Sequence, residues 1–193
     1  MLFTELGLSP KVLSAVDSAG YKEPTPIQAQ AIPHVLERRD VIGIAQTGTG
    51  KTASFVLPML SLLEKGRARA RMPRTLIIEP TRELAAQVEQ NFVIYGQNHK
   101  LTVALLIGGV SFDEQNKKLD RGADVLIATP GRLLDHVERG KLLLTALTSW
   151  SSMKPTACWT WGSFRTSSGF ADWCRSRVRP CSFRPPCRRR SRS

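Results

Sequence analysis

The eight residues Ala45–Thr52 constrain this chain more than any other stretch. They read Ala-Gln-Thr-Gly-Thr-Gly-Lys-Thr, follow the short apolar run Val41–Ile44, and open an apolar-periodic segment that reaches Leu63. A strand, a glycine-rich turn and a helix in this order are the setting that a phosphate-binding loop requires. The glycines allow backbone N–H groups to surround an anion, and the helix N-terminus adds the positive end of its dipole. A flexible Gly/Thr turn without a ligand is disfavoured, because Gly-Lys-Thr lies at the strand-to-helix junction.

Residue types within this loop indicate separate roles. Lys51 is placed to reach the β- and γ-phosphates of a nucleotide, and the Thr52 hydroxyl is placed to bind Mg²⁺. Ala45 stands where the motif usually has its first glycine. The backbone between them is expected to line the phosphates, through Gln46, Thr47, Gly48, Thr49 and Gly50.

Helix and strand signals alternate along the chain. Ser9-Pro10 and Thr25-Pro26 each combine an N-cap residue with a proline at the first helical position, which predicts helices that end at Gly20 and near Glu37. Further helices are predicted after Thr81, Ser111 and Thr129, and strands at Val41–Ile44, Leu76–Ile78, Leu101–Ile107 and Asp124–Ala128. Strands that alternate with helices predict an α/β fold with a parallel sheet and helices on both faces.

Four polar motifs follow the predicted strands. They are the phosphate loop, Pro80–Glu83, Gly108-Gly109 and Thr129–Arg132. The carboxyl ends of parallel strands meet at one edge of a sheet, so these motifs are expected to lie together there. The runs Val41–Ile44, Leu76–Ile78 and Val125–Ile127 are apolar throughout, which predicts central strands buried on both faces.

Composition divides the chain into two parts. Up to Leu147 there are 18 Lys/Arg and 15 Asp/Glu, whereas from Thr148 onward there are 10 and 1. All four cysteines and all four tryptophans also lie after Leu147. The first part is typical of a cytosolic globular domain. With neither a charged-then-apolar leader nor a long apolar run, we expect no secretion and no membrane span, and a cytoplasmic location.

The ordered set of motifs resembles that of the DEAD-box ATP-dependent RNA helicases, with the bacterial RhlE-like subgroup closest. The motifs that carry the resemblance are Gly20–Gln28, Ala45–Thr52, Pro80–Ala85, Gly108-Gly109 and Thr129–Arg132. The resemblance covers residues 1–147. It implies a partial N-terminal RecA-like domain of the P-loop NTPase type, with ATP and Mg²⁺ as cofactors and RNA as partner.

The resemblance assigns the nucleotide contacts position by position. Gln28 would read the adenine edge, assisted by Thr25. Tyr21 would stack on the base, and Phe3 matches the upstream aromatic of the family. Lys51 and Thr52 would hold the phosphates and Mg²⁺. Taken alone, Gly20–Gln28 is better explained as a proline-stiffened turn between helices, and only the resemblance favours a functional interpretation.

The same resemblance assigns the RNA contacts. These residues would grip the RNA backbone without reading its sequence. They are Pro80, Thr81, Arg82, Glu83, Gly108, Gly109, Thr129, Pro130, Gly131 and Arg132. Thr81 is also a good helix N-cap, which is the alternative explanation for that position. Relatives of this kind imply partners in ribosome assembly or RNA decay, and the sequence leaves the oligomeric state open.

The Asp-Glu-Ala-Asp motif of the family is absent, and Ser151–Gly162 stands in its place. Reading the codons one base out of frame explains this segment. Met153-Lys154 then forces Glu, Trp159-Thr160 forces Asp, and Trp161-Gly162 forces Gly. The recovered reading is Val-Val-Asp-Glu-Ala-Asp-Arg-Met-Leu-Asp-Met-Gly-Phe. We therefore expect a frameshift near residues 146–149, and a basic, disordered tail over residues 148–193.

The frameshift also accounts for two features of the tail. Its arginines resemble an RNA-binding segment, and Cys158, Cys174, Cys181 and Cys187 could suggest a metal site. The cysteine spacing does not give Cys-x-x-Cys pairs, so metal binding is disfavoured. Non-specific adhesion of the arginines to nucleic acid remains physically possible.

Three interpretations of the literal chain follow. The first is the lineage activity, an RNA-stimulated ATPase that unwinds short duplexes. The second is a weak ATP- and RNA-binding module without turnover. The third is a product that does not fold well, because the Walker B and Ser-Ala-Thr strands of the family are expected to be missing from the sheet. The sequence favours the third for the literal chain, and predicts that no catalytic residue set is intact.

Overall fold

The chain alternates helices and strands as the sequence predicts. A computed structural model describes residues 2–46, 48–153 and 158–163, with the backbone alone for 153 and 158–163. A short 3-10 turn at Phe3–Leu6 precedes six helices. The helices are α1 Pro10–Ser18, α2 Pro26–Leu36, α3 Lys51–Leu63, α4 Arg82–Tyr95, α5 Phe112–Arg121 and α6 Pro130–Glu138. The strands are β1 Val41–Ile44, β2 Thr75–Ile78, β3 Val103–Leu106, β4 Val125–Ala128, β5 Ser149–Met153 and β6 Cys158–Ser163.

The strands form one sheet in the order β1-β6-β5-β2-β4-β3. The pairs β5–β2, β2–β4 and β4–β3 are parallel, with Ile77 opposite Ile127 and Ile127 opposite Leu105. This parallel sheet, with helices that cross over between strands, is the predicted α/β architecture. Parallel order places the carboxyl ends of β2, β3 and β4 at the same edge.

The core has two layers, one on each face of the sheet. Alternate residues of a strand point to opposite faces, so Ile77 packs with helices α1–α4 while Leu76 and Ile78 pack on the other side. There they meet Leu119 of α5 and Leu133 of α6. All four residues of β2 and of β4 are buried, as predicted for central strands.

Local capping explains where the helices begin. The Ser9 hydroxyl accepts a hydrogen bond from the Val12 amide at 3.4 Å, and Pro10 occupies the first helical position. The Thr81 hydroxyl accepts from the Leu84 amide at 3.3 Å. Both are the predicted N-caps, each of which contributes about 1 kcal/mol to helix stability.

The prediction that β1 is buried on both faces is wrong. Ile42 is 72 % exposed and Ile44 is 76 % exposed, whereas Gly43 between them is buried. β1 is the outer strand of the described sheet, next to β6 alone. Among the described residues, helices α5 and α6 cover the same face only over β2, β4 and β3. The apolar run of β1 therefore predicts the strand correctly. It does not show that both faces of that strand are buried.

The structure also differs from the expected gap in the sheet. β5 and β6 stand between β1 and β2, where we expected two strands to be missing. β5 runs parallel to β2, and β6 is antiparallel to both β5 and β1. Residues 149–153 and 158–163 are thus strands, not part of a disordered tail. Backbone hydrogen bonding accounts for this, since a ladder can form with any side chains that tolerate an extended conformation.

Several sequence predictions fall outside the described residues. These are Thr47 of the phosphate loop, the tail at 164–193, and Cys174, Cys181 and Cys187; the Cys158 side chain is also not described. Among the helices that are described, none has the length and apolar character needed to cross a bilayer.

Candidate nucleotide cavity and RNA groove

The predicted site residues gather in two adjoining depressions. The first, here called the nucleotide cavity, has a volume of about 520 Å³ and is lined by the phosphate loop, the start of α2, and residues of α3 and α4. The second, here called the groove, is open, with a volume of about 640 Å³, and lies over the ends of β2, β3 and β4. A cavity of this size is suited to a small organic ligand.

The phosphate loop has the backbone geometry that the sequence predicts. Gly48 and Gly50 both have φ of 81°, in the left-handed region that glycine adopts without strain. Lys51 begins α3, is 8 % exposed, and donates from Nζ to the Ala45 carbonyl at 2.5 Å. Thr49 donates from its hydroxyl to the Gln46 carbonyl at 2.7 Å. These two hydrogen bonds link the two ends of the loop at the N-terminus of α3. A helix N-terminus is a position that favours the binding of an anion.

Thr25 and Gln28 tie the start of α2 to this loop. The Thr25 hydroxyl donates to the Thr49 carbonyl at 2.9 Å, and Gln28 Nε2 donates to the Gly50 carbonyl at 3.2 Å. Gln28 Oε1 accepts from the Thr25 amide at 3.0 Å. A glutamine amide can make four hydrogen bonds, so each polar atom of Gln28 keeps one for a ligand. The side chain predicted to read adenine thus also holds the phosphate loop.

Gly50 is required for that contact. A Cβ at this position would come within 2.4 Å of Gln28 Nε2 and 3.3 Å of the Thr25 hydroxyl. The glycine therefore serves both the left-handed turn and the close approach of α2.

Aromatic side chains form the outer wall of the cavity. Tyr21, predicted to stack on the base, and Phe3, which matches the upstream aromatic of the family, both line it, Phe3 buried and Tyr21 55 % exposed. Tyr95 of α4 lies behind Tyr21, with 6.4 Å between ring centroids. Burial, with a smaller effect of Tyr21, raises the pKa of Tyr95 to about 12, so its hydroxyl stays protonated. The sequence did not identify Tyr95, because only the packing of α4 beside α1 and α3 brings it here.

Glu79 is the second residue that sequence reasoning missed. It follows β2, is fully buried, and lines the nucleotide cavity. Neither carboxyl oxygen has a hydrogen-bond partner among the described residues. Burial raises the pKa of Glu79 to about 8, so the carboxyl is mainly protonated at neutral pH. The wall of the cavity therefore contains a buried acid close to the phosphate loop.

The groove brings together most of the predicted RNA contacts. Its lining includes Pro80, Thr81, Arg82, Glu83, Gly108, Thr129, Gly131 and Arg132, together with Asp135, which the sequence did not identify. Pro130 is the first residue of α6 beside it. The Glu83 carboxyl has a lowered pKa because its own backbone N–H and the Thr81 hydroxyl hydrogen-bond the ionised form. Two arginines over backbone turns are suited to an anionic ligand.

Gly108 and Gly109 make room for Arg82. A Cβ on Gly109 would lie 2.7 Å from Arg82 Nη1, and one on Gly108 would lie 3.4 Å from Nη2. Gly109 also has φ of 83°. The Arg82 side chain therefore packs directly against the backbone of the predicted glycine pair.

Arg132 is held by two residues of α5 and by Val110, which precedes that helix. Its Nε donates to Gln115 Oε1 at 3.1 Å, one Nη2–H bonds to the Val110 carbonyl, and its guanidinium lies 3.5 Å from the Phe112 ring centroid. Gln115 itself is buried, 2.9 Å from the Nε2 atom of buried His136. These supporting side chains carry no local sequence signal, because they come from a different helix.

Comparison with known proteins identifies the family to which the chain belongs. The family model described as "DEAD/DEAH box helicase" matches residues 25–150. The chain is 44 % identical over 146 residues to the ATP-dependent RNA helicase DeaD of Escherichia coli K12, covering 75 % of this chain and 23 % of that protein. It is 46 % identical over 144 residues to DeaD of Mycobacterium tuberculosis, covering 74 % of this chain and 25 % of the relative.

Two solved structures of related proteins share the fold of this chain. A DEAD box protein from Methanococcus jannaschii matches with a TM-score of 0.67 and 38 % identity, over 77 % of this chain and 40 % of that one. The RNA helicase Prp28 from Chaetomium thermophilum, solved bound to ADP, matches with a TM-score of 0.71 and 42 % identity, over 76 % and 36 %. The matched segment spans about a quarter of the length of the curated relatives. With a family model covering well over half of its length, the chain belongs to the DEAD/DEAH box helicase family.

Proposed function

We propose that this chain is the nucleotide- and RNA-binding part of an ATP-dependent RNA helicase, and that it binds both ligands without useful turnover of ATP. One observation carries the proposal. Thr25 and Gln28 hydrogen-bond to the carbonyls of Thr49 and Gly50, so the predicted adenine contacts and the phosphate lysine share one cavity.

The cavity fits a magnesium nucleotide in its chemistry. Gly48 and Gly50 leave the loop open to an anion, Lys51 supplies a positive charge, and the Thr52 hydroxyl lines the same space. Magnesium bound to a nucleotide keeps several waters and needs few protein ligands. Among the described residues, no group of three or more acidic, His or Cys side chains forms a separate metal site.

The groove supports RNA binding through the backbone. Arg82 and Arg132 lie over it, and neither has an ion-pair partner among the described residues. Guanidinium groups bind phosphate oxygens in a bidentate manner and carry no base preference. RNA sequence would then contribute little to affinity.

Loss of turnover follows from the residues at 151–156. The chain has no Asp-Glu-Ala-Asp sequence, so the carboxylates that the family uses to hold Mg²⁺ and position the attacking water are absent. Glu79 does not replace them, since it is buried, mainly protonated and without a hydrogen bond to the described residues. The Lys51 ammonium can bind phosphates, but binding the ground state does not by itself accelerate hydrolysis.

Two measurements on the purified chain test this proposal. In calorimetric unfolding, Mg-ADP should raise the transition temperature of the wild type and leave that of Lys51→Ala nearly unchanged, with affinity reduced about 10–150-fold. Lys117→Ala, which removes an exposed lysine on α5, is the matched control. ATP hydrolysis should not increase on addition of RNA. RNA-stimulated turnover would refute the inactive binding module, and a chain with no cooperative transition would support a product that does not fold.

The antiparallel pair β5–β6 favours the binding module over the product that does not fold. It fills the space between β1 and β2, so the described sheet is continuous. Continuity leaves no unpaired central strand, which would otherwise expose a row of backbone hydrogen-bonding groups.

We further propose that residues from about 148 onward are read out of frame. The family match ends at residue 150, close to the change in composition after Leu147. Sequencing the DNA tests this directly. Restoring one base near codons 146–149 should open a frame that encodes Asp-Glu-Ala-Asp, and failure to do so would eliminate the idea.

A further inference from the structure

The contacts of Arg132 differ from those of an ordinary surface arginine. Its guanidinium is held by three neighbours, the Gln115 side chain, the Val110 carbonyl and the Phe112 ring. None of the three carries a negative charge. An arginine has five N–H groups, and the two hydrogen bonds use one on Nε and one on Nη2. Three N–H groups therefore have no hydrogen bond to the described residues.

Gln115 is held in one orientation by its own partners. Its Nε2 donates to the Ile107 carbonyl at 2.9 Å, and its Oε1 accepts from Arg132 Nε at 3.1 Å. A carbonyl requires a donor and a guanidinium requires an acceptor, so the two ends of the amide cannot be exchanged. Gln115 is 2 % exposed, and solvent does not compete for these bonds.

His136 completes the arrangement from α6. Its Nε2 lies 2.9 Å from Gln115 Oε1, so this nitrogen carries the hydrogen and donates. Burial, with smaller effects of the charges of Arg132 and Arg139 and against the opposing charge of Asp135, lowers the pKa of His136 and favours the neutral ring. The ring also packs on Phe112, with 5.0 Å between centroids. The side chains in contact with the Arg132 guanidinium are therefore neutral. The nearest charged groups are Arg139, 4.0 Å from the Phe112 ring centroid, and Asp135, which lines the same groove.

A neutral support has a distinct consequence for an RNA-binding arginine. A carboxylate in the place of Gln115 would pair with the guanidinium and compete with a phosphate for its charge. An amide oxygen and an aromatic face orient the same group and leave its charge uncompensated. Orientation also lowers the side-chain entropy lost when phosphate binds.

We infer that Gln115 is a positioning residue for RNA binding, which directs the Arg132 guanidinium into the groove with its full charge, with Phe112 and His136 as its supports. The inference rests on the proposed RNA-binding function. It goes beyond that function by assigning a role to a buried side chain outside the motifs that indicated RNA contact.

The test measures binding of a labelled single-stranded oligouridylate by fluorescence anisotropy over a series of salt concentrations. Gln115→Met, which keeps the size and removes the acceptor, should weaken binding about 5–10-fold. Gln115→Glu, which keeps an acceptor and adds a charge, should weaken it at least as much and lower the salt slope by about 0.7 for the phosphate contact it displaces. Gln90→Met, at an exposed position on α4, is the matched control and should leave affinity unchanged.

A double-mutant cycle separates positioning from a general structural effect. In an Arg132→Met background, Gln115→Met should change RNA affinity by less than about twofold, because its effect acts through Arg132. Equal effects of Gln115→Met in both backgrounds would overturn the inference. Mg-ADP binding, measured in the same samples, should be unchanged in every variant.

Nuclear magnetic resonance of the free protein provides a readout independent of RNA. The Arg132 Nε–H should be protected from exchange in the wild type and lose that protection in Gln115→Met. A wild type that binds RNA while Gln115→Met changes affinity less than twofold overturns the inference alone. A wild type that does not bind the oligouridylate overturns the proposed RNA-binding function, and the role of Gln115 falls with it. An unprotected Nε–H in the wild type contradicts the geometry directly.

Discussion

The nucleotide cavity and the groove lie at the same edge of one sheet, yet their polar groups are satisfied to different degrees. In the groove, Arg132 and the amide of Gln115 have partners that all belong to residues before Leu147, and beneath them one nitrogen, His136 Nδ1, is buried without a partner among the described residues. In the cavity, Glu79 is buried, and neither of its carboxyl oxygens is hydrogen-bonded to a described residue. The groove is built from β2, β3, β4 and the helices after them, whereas the cavity lies between the ends of β1 and β2, which β6 and β5 separate in the sheet.

This difference teaches which site depends on which part of the chain. Local motifs and the helices that follow them are sufficient to build the groove. The cavity has its phosphate loop in place, but one of its walls contains a carboxyl that nothing described compensates. Four substitutions measure the difference between the two sites, beginning with that carboxyl.

Glu79→Gln is expected to have the largest effect on stability. The folded carboxyl has a pKa of about 8 against an ordinary value of 4.5, so between these pH values the folded state holds a proton that the unfolded state has released. The free energy of unfolding must then fall as pH rises from 4.5 to 8, by about 3–5 kcal/mol. Glu79→Gln cannot ionise, and should be more stable than the wild type by that amount at pH 8.5. Urea denaturation at pH 5, 7 and 8.5 measures it.

The control for Glu79 is an acid on α4 that is only partly buried. Glu89→Gln, half-buried on α4 without an assigned hydrogen bond, should follow the wild-type pH profile. A Glu79→Gln profile parallel to the wild type would mean that the carboxyl has a partner in solution. The buried polar groups of the cavity would then be hydrogen-bonded as completely as those of the groove.

Gly50→Ala is expected to have the next largest effect. Its φ of 81° costs an alanine about 1–2 kcal/mol, and the new Cβ would displace the buried Gln28 amide from the Gly50 carbonyl. With the lost hydrogen bond, the total destabilisation should be about 2–3 kcal/mol. Mg-ADP affinity should fall in parallel, while RNA affinity stays unchanged. Calorimetry with both ligands checks this, and a loss of RNA affinity instead would place Gly50 outside the cavity.

Gly109→Ala is the matched substitution in the groove. The φ is nearly the same at 83°, but the atom in the way is Arg82 Nη1, the free end of a long exposed side chain. That end can move, so only the backbone strain of about 1–2 kcal/mol remains. RNA affinity should decrease because Arg82 is displaced, whereas Mg-ADP affinity should not change. If Gly109→Ala destabilised the protein more than Gly50→Ala, the groove would be the more tightly packed of the two sites.

Sequence alone predicted much of the groove and of the fold, for local reasons. Caps such as Ser9 and Thr81 and the apolar runs of β2 and β4 are short-range signals, and they determined the order of elements. The exposure of Ile42 and the burial of Glu79 were not predictable, because each depends on which distant element packs nearby. The link between Gln115 and Arg132 joins two helices and leaves no spacing pattern.

β5 shows another limit of sequence reasoning. Ser-Trp-Ser-Ser-Met has no apolar alternation that would predict a central strand, and we expected residues from 148 onward to be disordered. In the structure it is held by its ladder to β2 and by a hydrogen bond of 3.0 Å between the Thr75 and Ser149 hydroxyls. Backbone pairing does not require apolar side chains, but packing of the core does.

Ser151→Val tests whether this strand completes the cavity side of the sheet in solution. Ser151 is 1 % exposed and lies opposite Ile77, on the face that packs with α1–α4. Replacing its hydroxyl by two methyl groups should raise the free energy of unfolding by about 1 kcal/mol, from added apolar burial. Thr145→Val, a similar change at an exposed position, should have no effect. An unchanged stability for Ser151→Val would mean that β5 does not occupy this place in solution. The cavity would then have an open wall beside β2, and the contrast with the groove would be larger than the structure indicates.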